Sequence, residues 1–326
     1  MKYKYKKLWI YSLIALFFLS FLGYFFSSEH FQRDIEFTND QNIYRGQGWR
    51  NNQSRYSGSE LGFIVTGTNE ISLKFSTSSN ATQEIEIYVN NNKQSVSSPN
   101  INNANIEIKL DKNKNNEILI RHICEFFYDP CEVKLDKAIA RSSAKIKPYQ
   151  PHKKSISVIG DSISTMYGND NYTILLADKL GYELHNSSIL SSTLVKIPSA
   201  PSAQDRYEKD ISNYKSSITI IFLGTNDIAN NVPVASFSAT LNKIVTDLKQ
   251  WNTGKLFFVG ILPRRDINSD VINSYNSEAE NVAEKNGAVF IDTSIWLTDK
   301  DYADDIHPTL NAHKIISNNL YNLINE

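Results

Sequence analysis

The chain of 326 residues has little cysteine, little histidine and almost no net charge. Its two cysteines, Cys124 and Cys131, lie close together with His122 as the one nearby further ligand of the right kind, which argues against a structural metal site. They read instead as a local disulfide across the Glu125–Pro130 loop, the alternative being two free thiols in a strand pair. The six histidines are scattered, and only His307 and His313 lie near each other. A metal-dependent hydrolase is therefore disfavoured, and no metal or cofactor is expected. His313 is read as structural, on the last helix. The formal charge of −1 gives no global field that would draw the protein to nucleic acid. No block of like charge is long enough to read as a tail. From Ile43 to about Ala140 no helical period appears.

What is present begins at the N-terminus. Lys2, Lys4, Lys6 and Lys7 precede an uninterrupted apolar run, Leu8 to Phe26. As a helix it would rise about 28 Å, close to the ~30 Å hydrocarbon core of a bilayer. The cationic residues before it would hold that end in the cytoplasm and leave the rest of the chain outside. A cleaved signal peptide is the rival, but Phe25-Phe26-Ser27-Ser28-Glu29 offers no small-x-small site. An uncleaved anchor is favoured, with secretion as the outcome if cleavage occurs. Residues 1–27 are thus read as a Lys-rich tip and a transmembrane helix.

Apolar residues make up 41% of the chain, enough for the cores of two further domains. In residues 28–147, Ile71-Ser72-Leu73-Lys74-Phe75, Glu84-Ile85-Glu86-Ile87-Tyr88-Val89 and Ile106-Glu107-Ile108-Lys109-Leu110 alternate apolar and polar side chains. That is the period of a half-buried strand. Leu61–Val65 and Glu117–Arg121 read likewise. Turn clusters such as Asn90–Lys93 and Asp111–Asn116 separate them, which suggests a β-sandwich or jelly roll. The polar stretch from Ser142 to Lys154, with Pro148 and Pro151, reads as a linker.

Residues 148–326 change pattern. Strands are expected at Ile156–Ile159, Leu184–Ser187, Ile218–Leu223, Leu256–Ile261 and Ala288–Ile291. Helices are expected near 172–180, 203–214, 235–251, 269–286 and 309–324. Alternating strands and helices imply an α/β fold: a parallel sheet with helices on both faces, and the ligand site beyond the carboxyl ends of the strands.

Four short features fall at or just beyond those ends or in the last loop. Gly160-Asp161-Ser162 follows the first strand, where a glycine allows a sharp exit and presents Ser162 near a helix N-terminus. Asn186–Ser191 follows the second strand. Gly224-Thr225-Asn226-Asp227 follows the third, and an amide there can donate to an oxyanion. Capping a turn or helix is the commoner task of such an asparagine. Asp304-Asp305-Ile306-His307-Pro308 precedes the last helix. In a tight turn, Asp304 can accept from the imidazole Nδ1 and leave Nε2 free to take a serine proton.

In order and placement these features resemble the SGNH, or GDSL, hydrolase superfamily over about residues 155–326. The resemblance implies a three-layer α/β domain with Ser162 as nucleophile, His307 as base and Asp304 as the residue that orients it. Ser162, Ser191 and Asn226 would form the oxyanion hole, with Gly160, Asp161 and Gly224 supporting. Ile163 stands where the family name has leucine. Ser191 stands where the family has a glycine, with Ser192 as a one-residue alternative. A jelly roll before such a domain is similar to carbohydrate esterase family two, and to membrane-tethered polysaccharide O-acetyltransferases. The implied partner is an acetylated carbohydrate, and the implied reaction is its deacetylation or, with the same residues, acetyl transfer. The small residues of Ser191–Pro201 suit a small acyl group. A reading of another class is a tethered carbohydrate-binding protein with a dead hydrolase domain, whose Tyr44, Trp49 and Tyr56 could stack on sugar rings. The same three aromatics also fit the core and rim of a sandwich.

Overall fold

The computed structural model describes residues 32–35, 44–45, 49–50, 53–54, 59–78, 83–96, 101, 103–124, 132–149, 154–212, 216–251 and 254–325. The apolar segment 8–26, Tyr56 and Cys131 lie outside them. Among the described residues no helix is long and apolar enough to cross a membrane.

Strands fill the first half. They are β1 (Gln32–Ile35), β2 (Tyr44–Arg45), β3 (Trp49–Arg50), β4 (Gln53–Ser54), β5 (Ser59–Thr66), β6 (Glu70–Ser76), β7 (Gln83–Val89), β8 (Asn92–Val96), β9 (Asn105–Lys109), β10 (Asn116–Cys124), β11 (Val133–Arg141) and β12 (Lys145–Pro148). One antiparallel sheet runs β3-β4-β11-β6-β9 with β1 also on β11, and the other runs β12-β5-β10-β7-β8 with β2 on β5. Alternation decides what each strand buries. In β6, Ile71, Leu73 and Phe75 are buried and the residues between them are not. These three meet Phe63, Ile87 and Ile120 of the other sheet in one shared core, so the unit is a β-sandwich. Trp49 lies in that core, 7% exposed, where it cannot serve as a sugar platform.

The expected linker is in part a strand. Lys145–Pro148 pairs antiparallel with β5, Lys145 facing Thr66 and Pro148 facing Phe63. Its alternation, Lys-Ile-Lys, puts Ile146 against the core and lysines on a sheet edge. An edge strand tolerates both lysine and a terminal proline. The polar composition that suggested a linker is the composition of an edge.

The second half is built on β13 (Ser155–Gly160), β14 (Glu183–Asn186), β15 (Ile218–Phe222), β16 (Lys255–Val259) and β17 (Val289–Ile291), all parallel, in the order β14-β13-β15-β16-β17. The helices are α1 (Tyr172–Leu180), α2 (Tyr207–Ile211), α3 (Thr225–Ala229), α4 (Val234–Gln250), α5 (Ser269–Lys285) and α6 (Leu310–Asn325). α2 is only five residues long, shorter than the helix expected over 203–214. The loop before it is committed to other contacts, described below. Successive residues of β15 serve opposite faces. Ile218, Ile220 and Phe222 join a cluster with α1 and α6, while Ile221 joins one with α4 and α5. That two-sided burial is why the strand reads as an unbroken apolar run. β13 lies where the strand order reverses, the place at which α/β sheets bind ligands beyond the carboxyl ends of their strands.

The two halves share buried contacts. Ile123 of β10 belongs to the cluster formed by α1 and α6. Arg121 Nε donates to Glu60 Oε1 at 2.9 Å, and its Nη1 donates to Asp178 Oδ1 of α1 at 3.1 Å. Tyr149 donates to Glu183 of β14 at 2.6 Å. Cys124, at the end of β10, is disulfide-bonded.

Glu60 is fully buried. Burial raises its carboxyl from 4.5 to about 7, against the opposing charge of Arg121. A carboxyl raised in this way favours folding below its unfolded value and loses that contribution as pH rises through its folded value. Relative to a Glu60→Gln variant, the native chain is therefore expected to lose stability between about pH 4.5 and pH 7, by about 3 kcal/mol at most. Thermal melts of both proteins at those two pH values measure this. A difference between them that does not change with pH would contradict it.

Candidate active site

Gly160 ends β13, and the chain turns there with very little room. A Cβ at Gly160 would lie 2.2 Å from Ser164 Oγ and 2.8 Å from Ser188 Oγ. The demand for glycine is thus one of space between two loops. Asp161 then caps a single 3₁₀ turn, Ser162–Ser164, its side chain accepting from Ile163 N–H. The serine at the start of that turn is held at the sheet's edge.

His307 reaches it from the far end of the chain. Ser162 Oγ and His307 Nε2 are 3.0 Å apart, and His307 Nδ1 and Asp304 Oδ2 are 2.8 Å apart. The other oxygen of Asp304 accepts from the backbone N–H groups of Ile306 and His307, both at 2.7 Å. Burial pushes the Asp304 carboxyl up, but these bonds and the imidazole outweigh it and hold the group below the usual carboxylate range. An ionised Asp304 on Nδ1 leaves Nε2 as the acceptor facing Ser162. The turn is closed by Ala303 N–H on His307 O at 2.8 Å. It is braced from outside by Arg265, whose guanidinium donates to the Asp304 carbonyl.

N–H groups that could meet an oxyanion lie on three loops. Among the described residues, neither the Ser162 nor the Ser191 N–H meets an acceptor. Their neighbours are committed: Ile163 N–H to Asp161 Oδ1, and Ser192 N–H to Ile189 O at 3.1 Å. That commitment separates Ser191 from the alternative, Ser192. Ser191 has φ 57°, the left-handed region that favours glycine. Asn226 enters the first turn of α3 after Gly224, whose φ of 122° and contact with Ile261 exclude a side chain. The Asn226 amide donates to Asp161 Oδ2 at 3.2 Å and to Ser192 O at 3.1 Å. Both lie toward the long end of the ordinary range of about 2.7–3.2 Å.

Buried acids hold these loops in place. Asp227 accepts from Leu194 N–H at 2.8 Å and Val195 N–H at 3.0 Å. Burial raises Asp227 to about 6 in spite of these bonds. Burial also raises Asp161 to about 7; the Ile163 N–H opposes this and the charge of Asp227 reinforces it. Arg264 Nη1 donates to the Thr225 carbonyl at 2.8 Å beneath α3, while Asp266 takes its other two nitrogens. His313 is buried in α6, accepts from Tyr172 N–H at 3.3 Å and stacks on Tyr172, which is a structural role.

Residues 158–315 match the model of the GDSL-like Lipase/Acylhydrolase family. The chain carries a GDSL-like acylhydrolase domain. It is an enzyme that acts on esters. No curated protein sequence matches the chain. Solved structures resemble it across both halves. A family two carbohydrate esterase from Clostridium thermocellum, in complex with cellohexaose, is 19% identical, covers 86% of this chain and 98% of its own, and has a TM-score of 0.61. An acetyl xylan esterase from the rumen bacterium Butyrivibrio proteoclasticus is 14% identical over 90% of this chain and 98% of its own, with a TM-score of 0.60. A salicylyl-acyltransferase from a tetracycline biosynthetic pathway is 10% identical over 90% and 97%, with a TM-score of 0.64. At these identities the likeness is one of fold.

Sequence reading missed the arginines of this acylhydrolase domain. Arg264 and Arg265 follow the end of β16, and a paired charge just beyond a strand's carboxyl end is a usable signal. Arg206 left a fainter one, an i,i+4 pair with Asp210.

Removing one oxyanion donor costs on the order of 10²–10³ in turnover. Asn226→Ala is expected to lose that much kcat with little change in melting temperature. Ser191→Gly is expected to keep activity, because only its backbone N–H is used and glycine suits its φ. Normal kcat in Asn226→Ala, or an inactive but folded Ser191→Gly, would contradict these assignments.

Proposed function

We propose that the chain is a serine esterase that removes O-acetyl groups from an extracytoplasmic carbohydrate or polysaccharide through an acyl-enzyme on Ser162. The observation that carries this reading is the 3.0 Å contact between Ser162 Oγ and His307 Nε2, backed by Asp304. Ser162 Oγ attacks the ester carbonyl carbon as its proton passes to His307 Nε2. The tetrahedral oxyanion is met by the N–H groups of Ser162 and Ser191 and by the Asn226 amide. Collapse breaks the bond to the sugar oxygen, which leaves with the proton from His307. Water, deprotonated by the same imidazole, then releases acetate.

The carbohydrate assignment draws on the carbohydrate-esterase fold likeness and on the sandwich, which we read as a jelly roll. The small residues after Ser191 support a short acyl group. The disulfide at Cys124 fits an oxidising compartment. Residues 8–26 supply a membrane anchor in this reading, with the catalytic domain outside. A second reading, acetyl transfer to a sugar hydroxyl, is favoured by the likeness to an acyltransferase. It uses the same residues and replaces water in the last step.

Aryl-acetate turnover by the purified chain, with and without a deacetylated oligosaccharide, separates the two. Free acetate equal to the phenol released under both conditions is expected, with no turnover in Ser162→Ala. Acetylated oligosaccharide in place of free acetate would overturn the esterase reading. Full activity in Ser162→Ala would overturn both.

A further inference from the structure

We propose that Arg206 is a positioning residue for the oxyanion hole, holding the Ser162 loop and the Ser191 loop in register. The proposal rests on the reading of Ser162 and Ser191 as oxyanion donors. These donors leave two adjacent parallel strands, β13 and β14. The paired register of those strands ends at Val158 opposite Asn186, and Ser187 N–H on Val158 O at 2.8 Å closes it. Beyond that point the loops diverge. The backbone bond joining them further out is Ile189 N–H on Gly160 O, at 3.2 Å. Such a link is too little to hold two N–H groups on one developing charge, since catalytic geometry tolerates only about 0.5 Å of error.

Side chains add to it: Asn186 Nδ2 donates to the Ser164 carbonyl at 2.7 Å, the Asn226 amide bridges Asp161 and Ser192, and Arg206, in the loop before α2, adds a third link. Its Nη2 donates to the Gly160 carbonyl at 3.4 Å and to Ser192 Oγ at 3.2 Å. Its Nη1 donates to the Ser187 carbonyl and, at 2.8 Å, to Asp210. All four Nη protons are thereby used. Gly160 stands two residues before the nucleophile, and Ser187 and Ser192 bracket Ser191. One planar group therefore grips both loops on either side of the site. The side chain is 11% exposed, and the Asp210 side chain that orients it is 7% exposed. Lysine, a point charge with no fork, could not span these acceptors.

The test compares the native chain with Arg206→Met, Arg206→Lys and Ser192→Ala. In aryl-acetate hydrolysis, Arg206→Met is expected to lose at least tenfold in kcat with KM within twofold, and Arg206→Lys is expected to recover only part of it. Ser192→Ala removes one acceptor, leaves the charges in place and should lose two- to fivefold in kcat. Because Arg206 and Asn226 serve one oxyanion, the double variant Arg206→Met/Asn226→Ala should lose less than the product of the two single losses. Hydrogen exchange gives a readout independent of turnover: amides 188–194 should exchange faster in Arg206→Met and Ser192→Ala while those of α4 and α5 do not. Unchanged kcat in both Arg206→Met and Ser192→Ala, strictly multiplicative losses, or unchanged exchange at 188–194 would overturn the proposal. If Arg206→Met does not fold, Ser192→Ala decides it. A native chain without ester turnover would sink the functional reading, and the exchange measurement would still judge the clamp.

Discussion

The hydrogen bond between Ser162 and His307 joins residues 145 apart in the chain, and the rest of the domain is what makes it possible. The serine is fixed by a strand buried on both faces and by a turn that starts where only glycine fits. The histidine is fixed by a short closed turn in which Asp304 binds both the imidazole and two backbone N–H groups. Neither half can form the contact without the parallel sheet, which brings the first strand of the domain and the loop before its last helix to the same end.

Around that bond the polar groups form a closed set of links among three loops. Asp161 ties the nucleophile loop to Asn226. Asn226 and Asp227 tie the third loop to the second through Ser192, Leu194 and Val195. Arg206 ties the second back to the first. Burying two carboxyls costs solvation, which is why both Asp161 and Asp227 sit above the ordinary carboxylate range. That cost is met by directed N–H donors, so the loops are held by bonds with angles as well as by apolar contact. The N–H groups of Ser162 and Ser191 meet no acceptor among the described residues.

Much of this was legible in the chain itself. The alternation of β6 and β7 and the two-sided apolar runs of β13 and β15 specify a sandwich followed by a parallel α/β sheet, because burial on one face or on two leaves different patterns. Ser162, Asn226, Asp304 and His307 were legible because each sits where a strand ends or the last helix begins. The arginines were not, because a guanidinium that binds carbonyls of distant loops has no local pattern. The strand Lys145–Pro148 was hidden for the opposite reason: an edge strand and a linker share a composition. Ser191 and Ser192 are ambiguous by one residue in sequence; in the structure Ser191 has φ 57° and the Ser192 N–H is bonded to the Ile189 carbonyl.

The sandwich and the catalytic domain meet through Arg121, Glu60 and Asp178 and through Ile123, so the first domain is part of the scaffold on which the site is built. In the proposed reaction Ser162 is a nucleophile activated by His307. Intact mass and peptide mapping after brief exposure to a fluorophosphonate test it most directly. One adduct on Ser162, formed at least a hundredfold more slowly in His307→Ala, is the predicted result. An adduct on another residue, or equal rates in the two proteins, would contradict it.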